Sequence, residues 1–215
     1  QYLTTSMDSL YNALYEINKG VLIYMKKINL PQKGEPDYLF RQKKLSTIKT
    51  LISYAVAVAI FIIGYLLTKT RENVFSVIAV LALLPASRNT VSMIMFLKTP
   101  AYNADIYNKI LKSAGNVPVI YHLYLTSYQK NYPITCFAVK GSNLIGFSEF
   151  EKCDINACKE HIEGILSQNG LKNINIKIFG SNDYKMFEER LKQLQSIDTA
   201  KHDEELISLM CDISL

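Results

Sequence analysis

Cys153, Cys158 and His161 stand as Cys-x4-Cys-x2-His, with Cys211 further along the chain. Thiolates and imidazoles are zinc-ligand types, but structural zinc sites use closer knuckle spacings, and Cys158 and His161 fall on one expected helix. The reading is a buried Cys158 and a surface His161, with no metal. Cys136 and His122 could form a nucleophile pair if their strands are neighbours, the imidazole taking the thiol proton; no third residue is at hand to orient the base. Glu149 lies near the end of an expected strand. His202-Asp203-Glu204-Glu205 reads as a solvated helix start. Neither GxxxxGK[ST] nor GxGxxG occurs, so no phosphate loop is expected. No residue is assigned a catalytic role, and no metal or cofactor is expected.

A different chemistry is written into LLPASRNTVSMIMFL, Leu83 to Leu97, where Pro85, Ser87, Arg88 and Asn89 interrupt an apolar run. Before that run, Thr50 to Thr68 holds no charged residue over 19 positions. A helix needs roughly 20 such residues to cross a hydrocarbon core about 30 Å thick. A core helix of a soluble protein rarely lacks a polar stripe, so ISYAVAVAIFIIGYLL reads as a transmembrane helix. Val74 to Leu97 reads as a second one, with Lys69 to Asn73 as a tight turn between antiparallel spans. A signal peptide is excluded by position and by the second apolar run.

At 1.5 Å per residue, Arg88 is about 21 Å from the outer end of its run, in the inner third of a bilayer and within snorkelling reach of the headgroups. Pro85 removes a backbone donor and is expected to bend the helix. Two roles stand open for Ser87, Arg88 and Asn89. In one, Arg88 reaches the inner interface as an anchor. In the other, the three form an intramembrane binding site for an anion or lipid headgroup, or part of an oligomeric pore. A two-span protomer cannot enclose a pore alone. Gly64 stands outside any GxxxG pattern, so no packing motif speaks for assembly.

The chain of 215 residues is 49% hydrophobic and 20% charged, with net charge +5. The placement of that charge points to a membrane surface. Arg41, Lys43, Lys44 and Lys49 directly precede the first span, where they would meet anionic lipid headgroups. No basic stripe interleaved with aromatics occurs elsewhere, so no nucleic-acid partner is expected. Lys and Arg number five in the twenty residues before the first span, three in the twenty after Leu97 and two in the turn. That imbalance places both long flanks, and both termini, in the cytoplasm. The four cysteines would be thiols there.

The expected division is a juxtamembrane segment over 1–47, a transmembrane hairpin over 48–97 and a cytosolic domain over 98–215. MKKINLP at Met25 has the form of a protein start. Residues 1–24 are accordingly either upstream sequence read in frame or part of a longer N-terminus. Against an internal start, Leu10, Leu14 and Ile17 fit one face of an amphipathic helix.

In the last segment a helix over 102–115 ends at Gly115 and a strand follows over 117–127. ITCFAVK and LIGFSEF form a hairpin about Gly141. Asp154 caps a helix from Ile155 to about Ser167, and Gly170 ends it. A strand over 173–180 leads to a helix capped by Asp183, and the tail LISLMCDISL is too short to assign. The fold class is α+β: a two-helix transmembrane hairpin followed by a cytosolic α-β-β-β-α-β-α domain with a sheet of about four strands.

That order is similar to the αβββαβ core of restriction-endonuclease-like nucleases. Such nucleases hold Mg²⁺ with an Asp on the second strand and a Glu-x-Lys on the third. ITCFAVK carries no carboxylate and LIGFSEF only Glu149, so the catalytic motif is absent. LLPASRNTVSMIMFL, the two spans and the GSNLIGF hairpin together resemble small two-span bacterial membrane proteins with no assigned activity. That resemblance runs over most of the chain from Met25 and implies an architecture only. The expected function is a membrane-tethered binding or scaffold domain. The alternatives are an oligomeric effector or sensor gated by ligand binding to the cytosolic domain, and a nuclease-like or other hydrolase. The expected partners are the anionic bilayer and either further copies of the chain or another membrane protein.

Overall fold

The computed structural model describes residues 32–70, 73–128 and 130–215. The expectations for residues 1–24, both the internal start and the amphipathic helix, lie outside the described residues.

Two long apolar helices come first. Helix α1 covers Tyr38–Thr68. Its hydroxyl residues do not break it, because Thr50 and Ser53 donate back to the carbonyls of Ser46 and Lys49 at 2.8 and 2.9 Å. Lys69 ends the helix in the left-handed conformation, its N–H on Tyr65 O. Helix α2 covers Val74–Leu97. Asn73 caps it by accepting from Ser76 N at 2.9 Å, and its amide donates to Thr68 Oγ1 and Thr70 O, each at 2.7 Å. The turn is thereby tied to both helices. Pro85 sits within α2 without ending it.

The faces that meet are mostly small, with Ile60 and Phe75 the large exceptions. Ser46, Thr50, Ala57, Ile60 and Gly64 of α1 are buried, as are Phe75, Ala79 and Ala86 of α2. They recur at steps of three, four and seven residues, the spacing of a helix-packing seam. A Cβ on Gly64 would lie 2.3 Å from Phe75 Cβ, so the backbones approach there only because Gly64 has no side chain. A packing role for Gly64 thus exists within the hairpin, without any GxxxG.

The remainder is a mixed sheet between helical layers. Helix α3 is Ala104–Ala114, followed by β1 Val119–Thr126, β2 Asn131–Lys140 and β3 Asn143–Phe147. Then come α4 Ile155–Gln168, β4 Asn175–Phe179, α5 Tyr184–Leu194 and α6 Asp203–Asp212. The strand order is β1-β2-β3-β4, with β4 parallel to β3 and the other pairs antiparallel. The β2–β3 turn places Gly141 and Ser142 at φ 62° and 59°, the two left-handed positions of a tight hairpin. Helices α4 and α6 cover one face through Cys158, Ile162, Leu206 and Met210. Helices α3 and α5 cover the other through Ile110, Phe187, Leu191 and Leu194.

Two sequence expectations need correction, and the unassigned tail gains a structure. The tail forms a helix, α6. Asp183 makes no capping bond, because it closes a 3-10 turn over Ser181–Asp183 instead. Asp203 is not a solvated helix start: it is buried, and its carboxylate accepts from the N–H groups of Gly141, Ser142 and Ala200 at 2.8 to 3.0 Å. It clamps α6 onto the β2–β3 turn. Burial alone would raise its pKa, but the three donors hold it below the usual carboxylate range.

Strand β1 changes phase midway. Ile120 faces the α4/α6 core and Tyr121 the α3/α5 core, yet Leu123 and Leu125 both return to the α4/α6 side. Strand β2 does the same, with Ile134 and Phe137 on one core and Cys136 and Ala138 on the other. The switch falls at His122 and Thr135, the pair missing from an otherwise continuous register. His122 makes it possible by adopting φ 53°.

Candidate functional site

His122 ties the stems of both long helices to the sheet. Its φ lies in the left-handed region, which disfavours a residue with a Cβ. Its Nδ1–H donates to Pro36 O, just before α1. Its ring stacks on Tyr102, in the linker after α2, with centroids 4.3 Å apart and planes within 15°. Tyr107 of α3 tilts against the same ring at 5.9 Å. The Tyr102 hydroxyl donates to Leu123 O at 3.0 Å. Nε2 of His122 is buried without a hydrogen-bond partner among the described residues. That burial depresses the imidazole pKa, against the raising effects of the Pro36 carbonyl and Asp37.

The same stretch before α1 covers the free edge of β1. Tyr121 N donates to Gly34 O at 2.7 Å, and Lys33 Nζ donates to Ser214 O at 2.9 Å. Leu215 N donates to Tyr124 O at 3.0 Å, so the C-terminal residues cover the edge further along. A cleft of about 580 Å³ opens between the two stems. Asp37, Phe40 and Lys43 line its α1 side, Thr99 to Tyr102 its linker side, and Tyr107 and His122 its floor. Lys43 Nζ donates to Thr99 O at 3.4 Å across one end.

The basic cluster does not act as one face. Lys43 turns into the cleft, whereas Arg41, Lys44 and Lys49 are exposed, with Lys44 Nζ 4.4 Å above the Phe40 ring. The polar trio of α2 divides as well. Asn89 faces α1 and donates to Ser53 Oγ at 2.8 Å, beside a 3.1 Å bond between Tyr54 and Thr90. Ser87 is exposed and bonds back to Leu84 O at 2.8 Å, and Arg88 is exposed on the outer side.

The other candidates do not converge. Cys153 and Cys158 are buried in the α4/α6 core, and burial pushes both thiols up, away from the thiolate that binds zinc. No group of three or more metal-ligating residues occurs among the described residues. Cys136 is fully buried in the α3/α5 core, its thiol also pushed up by burial, while Nδ1 of His122 is engaged by Pro36. Glu149 accepts from Asn103 N at 3.1 and 3.2 Å and meets Thr135 Oγ1 at 3.4 Å. Burial raises its pKa despite those two donors. Where a nuclease would set an Asp opposite its Glu-x-Lys, Thr135 faces Glu149.

Compared with known protein families, curated proteins and solved structures, the chain finds no match. The junction must therefore be read from its own residues. Sequence reading passed over Pro36, Tyr102 and the role of Thr99. One signal was available for the hairpin: Ala79, Ala82 and Ala86 step by three and four toward Asn89, which puts Asn89 on the seam and its neighbour Arg88 about 100° off it.

Proposed function

We propose that this chain is an integral membrane protein whose hairpin crosses the bilayer twice and holds the α+β domain on the cytoplasmic face as a binding or scaffold module. The observation that carries this reading is the outer surface of the hairpin. Leu51, Leu66 and Val74 are 71%, 67% and 73% exposed. In the most apolar windows of α1 and α2 only 22% and 17% of residues are buried. A soluble core helix covers such faces with protein; here lipid would cover them. The small-residue seam supports the same reading, since association within a bilayer depends on close packing. Loop charge supports the orientation.

The hydrogen bonds across the seam support a shallow depth for Arg88. It stands level with Ser53 and Tyr54, about 7 Å above Lys49 at 1.5 Å per residue, so its side chain spans that distance to the inner headgroups. A second reading, an effector or sensor, draws support from the junction. Because Pro36 and Tyr102 both lean on His122, a ligand that moved one stem would shift the packing of the hairpin.

Accessibility labelling tests the reading. With Cys211 replaced by Ser, an impermeant maleimide added to intact cells is expected to modify Lys69→Cys in the turn. Tyr128→Cys, on a fully exposed domain loop, should react only after lysis. Reaction of Tyr128→Cys in intact cells contradicts the orientation.

A further inference from the structure

We propose that the cleft between the stems binds a short peptide, two or three residues long, by its two charged ends. The inference deepens the binding-module reading above by naming a ligand class for one cavity. Position makes the ligand a water-borne one. Lys43 lies six residues before Lys49 and Asp37 twelve, about 9 and 18 Å along α1, while the headgroup layer reaches only roughly 5 to 7 Å beyond the hydrocarbon core. The lining therefore stands in the aqueous phase, past the lipid.

Charge placement gives the class. Lys43 Nζ lies at the Thr99 end, where its bond to Thr99 O is long at 3.4 Å and leaves an ammonium with three donors largely unspent. A carboxylate is a stronger acceptor for that ammonium than a carbonyl. Asp37 stands at the other end. It precedes α1 yet makes no capping bond, and its charge is felt by His122 on the floor. Nε2 of His122, the nitrogen without a proton when Nδ1–H donates to Pro36 O, is an acceptor that lacks a donor. One end of the cleft thus lacks an anion and the other a cation. Along α1 the six residues from Asp37 to Lys43 separate those ends by about 9 Å. Along the opposite wall, Thr99 to Tyr102 spans at most about 10 Å. An extended chain of three residues covers about 10 Å, so its ammonium meets Asp37 while its carboxylate meets Lys43. A single amino acid reaches one end only. Between the ends the wall is apolar and aromatic, with Phe40 60% exposed on α1. Tyr107 on the floor meets Tyr121 and His122 by its ring, and its hydroxyl makes no hydrogen bond among the described residues, open to a peptide amide. A volume of about 580 Å³ lies within the range of small-ligand sites.

The test is isothermal titration calorimetry of the full chain in mild detergent with the tripeptide Ala-Phe-Ala, its N-acetyl form and its C-terminal amide. The unaltered chain is expected to bind the free tripeptide and to bind each blocked form about tenfold more weakly, as for one lost charge-assisted hydrogen bond. Lys43→Gln should weaken the free tripeptide about tenfold and abolish the preference for a free carboxylate. Asp37→Asn should do the same for the free amine, while Lys44→Gln and Arg88→Gln bind as the unaltered chain does. No binding of the free tripeptide, or equal affinity for free and blocked forms, overturns the assignment without recourse to any variant. Discrimination at one end alone overturns the two-ended ligand. Maleimide labelling of Lys69→Cys and Tyr128→Cys separates the two levels. The expected labelling without tripeptide binding refutes the cleft ligand alone, and reversed labelling with binding intact refutes the membrane orientation and leaves the cleft standing.

Discussion

The hairpin and the domain that follows it bury opposite kinds of residue. In the domain, large side chains go inward: Phe137, Phe147 and Phe187 are wholly buried between sheet and helices. In the hairpin most of the large ones go outward, and beside Ile60 and Phe75 the interior is small: Ala57, Gly64, Ala79 and Ala86. Water drives the first arrangement, because burying each large apolar side chain is worth about 1.5–3 kcal/mol. It cannot drive the second, which leaves that free energy ungained on both helices. The inversion is intelligible if the two regions face different solvents, and the junction at His122 is where one set of packing rules gives way to the other.

The comparison breaks most sharply at paired truncations. Phe187→Ala is expected to cost the domain about 3–5 kcal/mol, whereas Leu66→Ala on the outer hairpin face should change packing stability by less than about 0.5 kcal/mol. Hydrogen exchange of the β3 and α5 amides in detergent-solubilised protein reads the difference. A comparable loss at Leu66 would mean that protein, not lipid, covers that face.

Glycine position sharpens it further. Gly64→Val should destabilise the hairpin by about 1–3 kcal/mol through overpacking against Phe75. Gly164→Val on α4 should be benign, since nothing lies within 4 Å of a Cβ there. Disulfide yield between Ser53→Cys and Asn89→Cys, on facing seam positions, should fall with the first and not with the second.

The smallest effect is at the junction. His122 has a folded pKa below its ordinary 6.5, so the unfolded chain takes up the proton first. Its contribution is full above pH 6.5 and is lost as the pH falls from there toward the depressed value. Domain melting temperature followed by circular dichroism should decline over that interval, and His122→Asn should flatten the decline.

Much of the architecture was legible in local signals. The uncharged run from Thr50, Gly115 after α3, Asp154 before α4 and Gly141 in the hairpin turn each mark an element by a nearby residue type. The junction was not legible, because its parts are bonded across long separations. Nothing near Pro36 announces a bond to His122, 86 residues away. A histidine at positive φ carries no sequence mark, and the phase switch it permits reverses which face Leu123 and Leu125 occupy. Asp203 was misread for a related reason: its three donors come from the β2–β3 turn and from Ala200, and only folding brings the turn to it. Of the residues singled out as a site, Asn89 and Lys43 face protein while Arg88 and Lys44 face outward, a division set by 100° steps around helices whose partner face had not been traced.

The central claim is that the segment of α1 and α2 lies in lipid. Alkaline carbonate extraction of membranes carrying the full chain tests it most directly. The account predicts that the chain stays with the pelleted bilayer and is released only by detergent. Recovery of a monodisperse chain in the carbonate supernatant, without detergent, would contradict it and return Leu51, Leu66 and Val74 to the surface of a water-soluble protein.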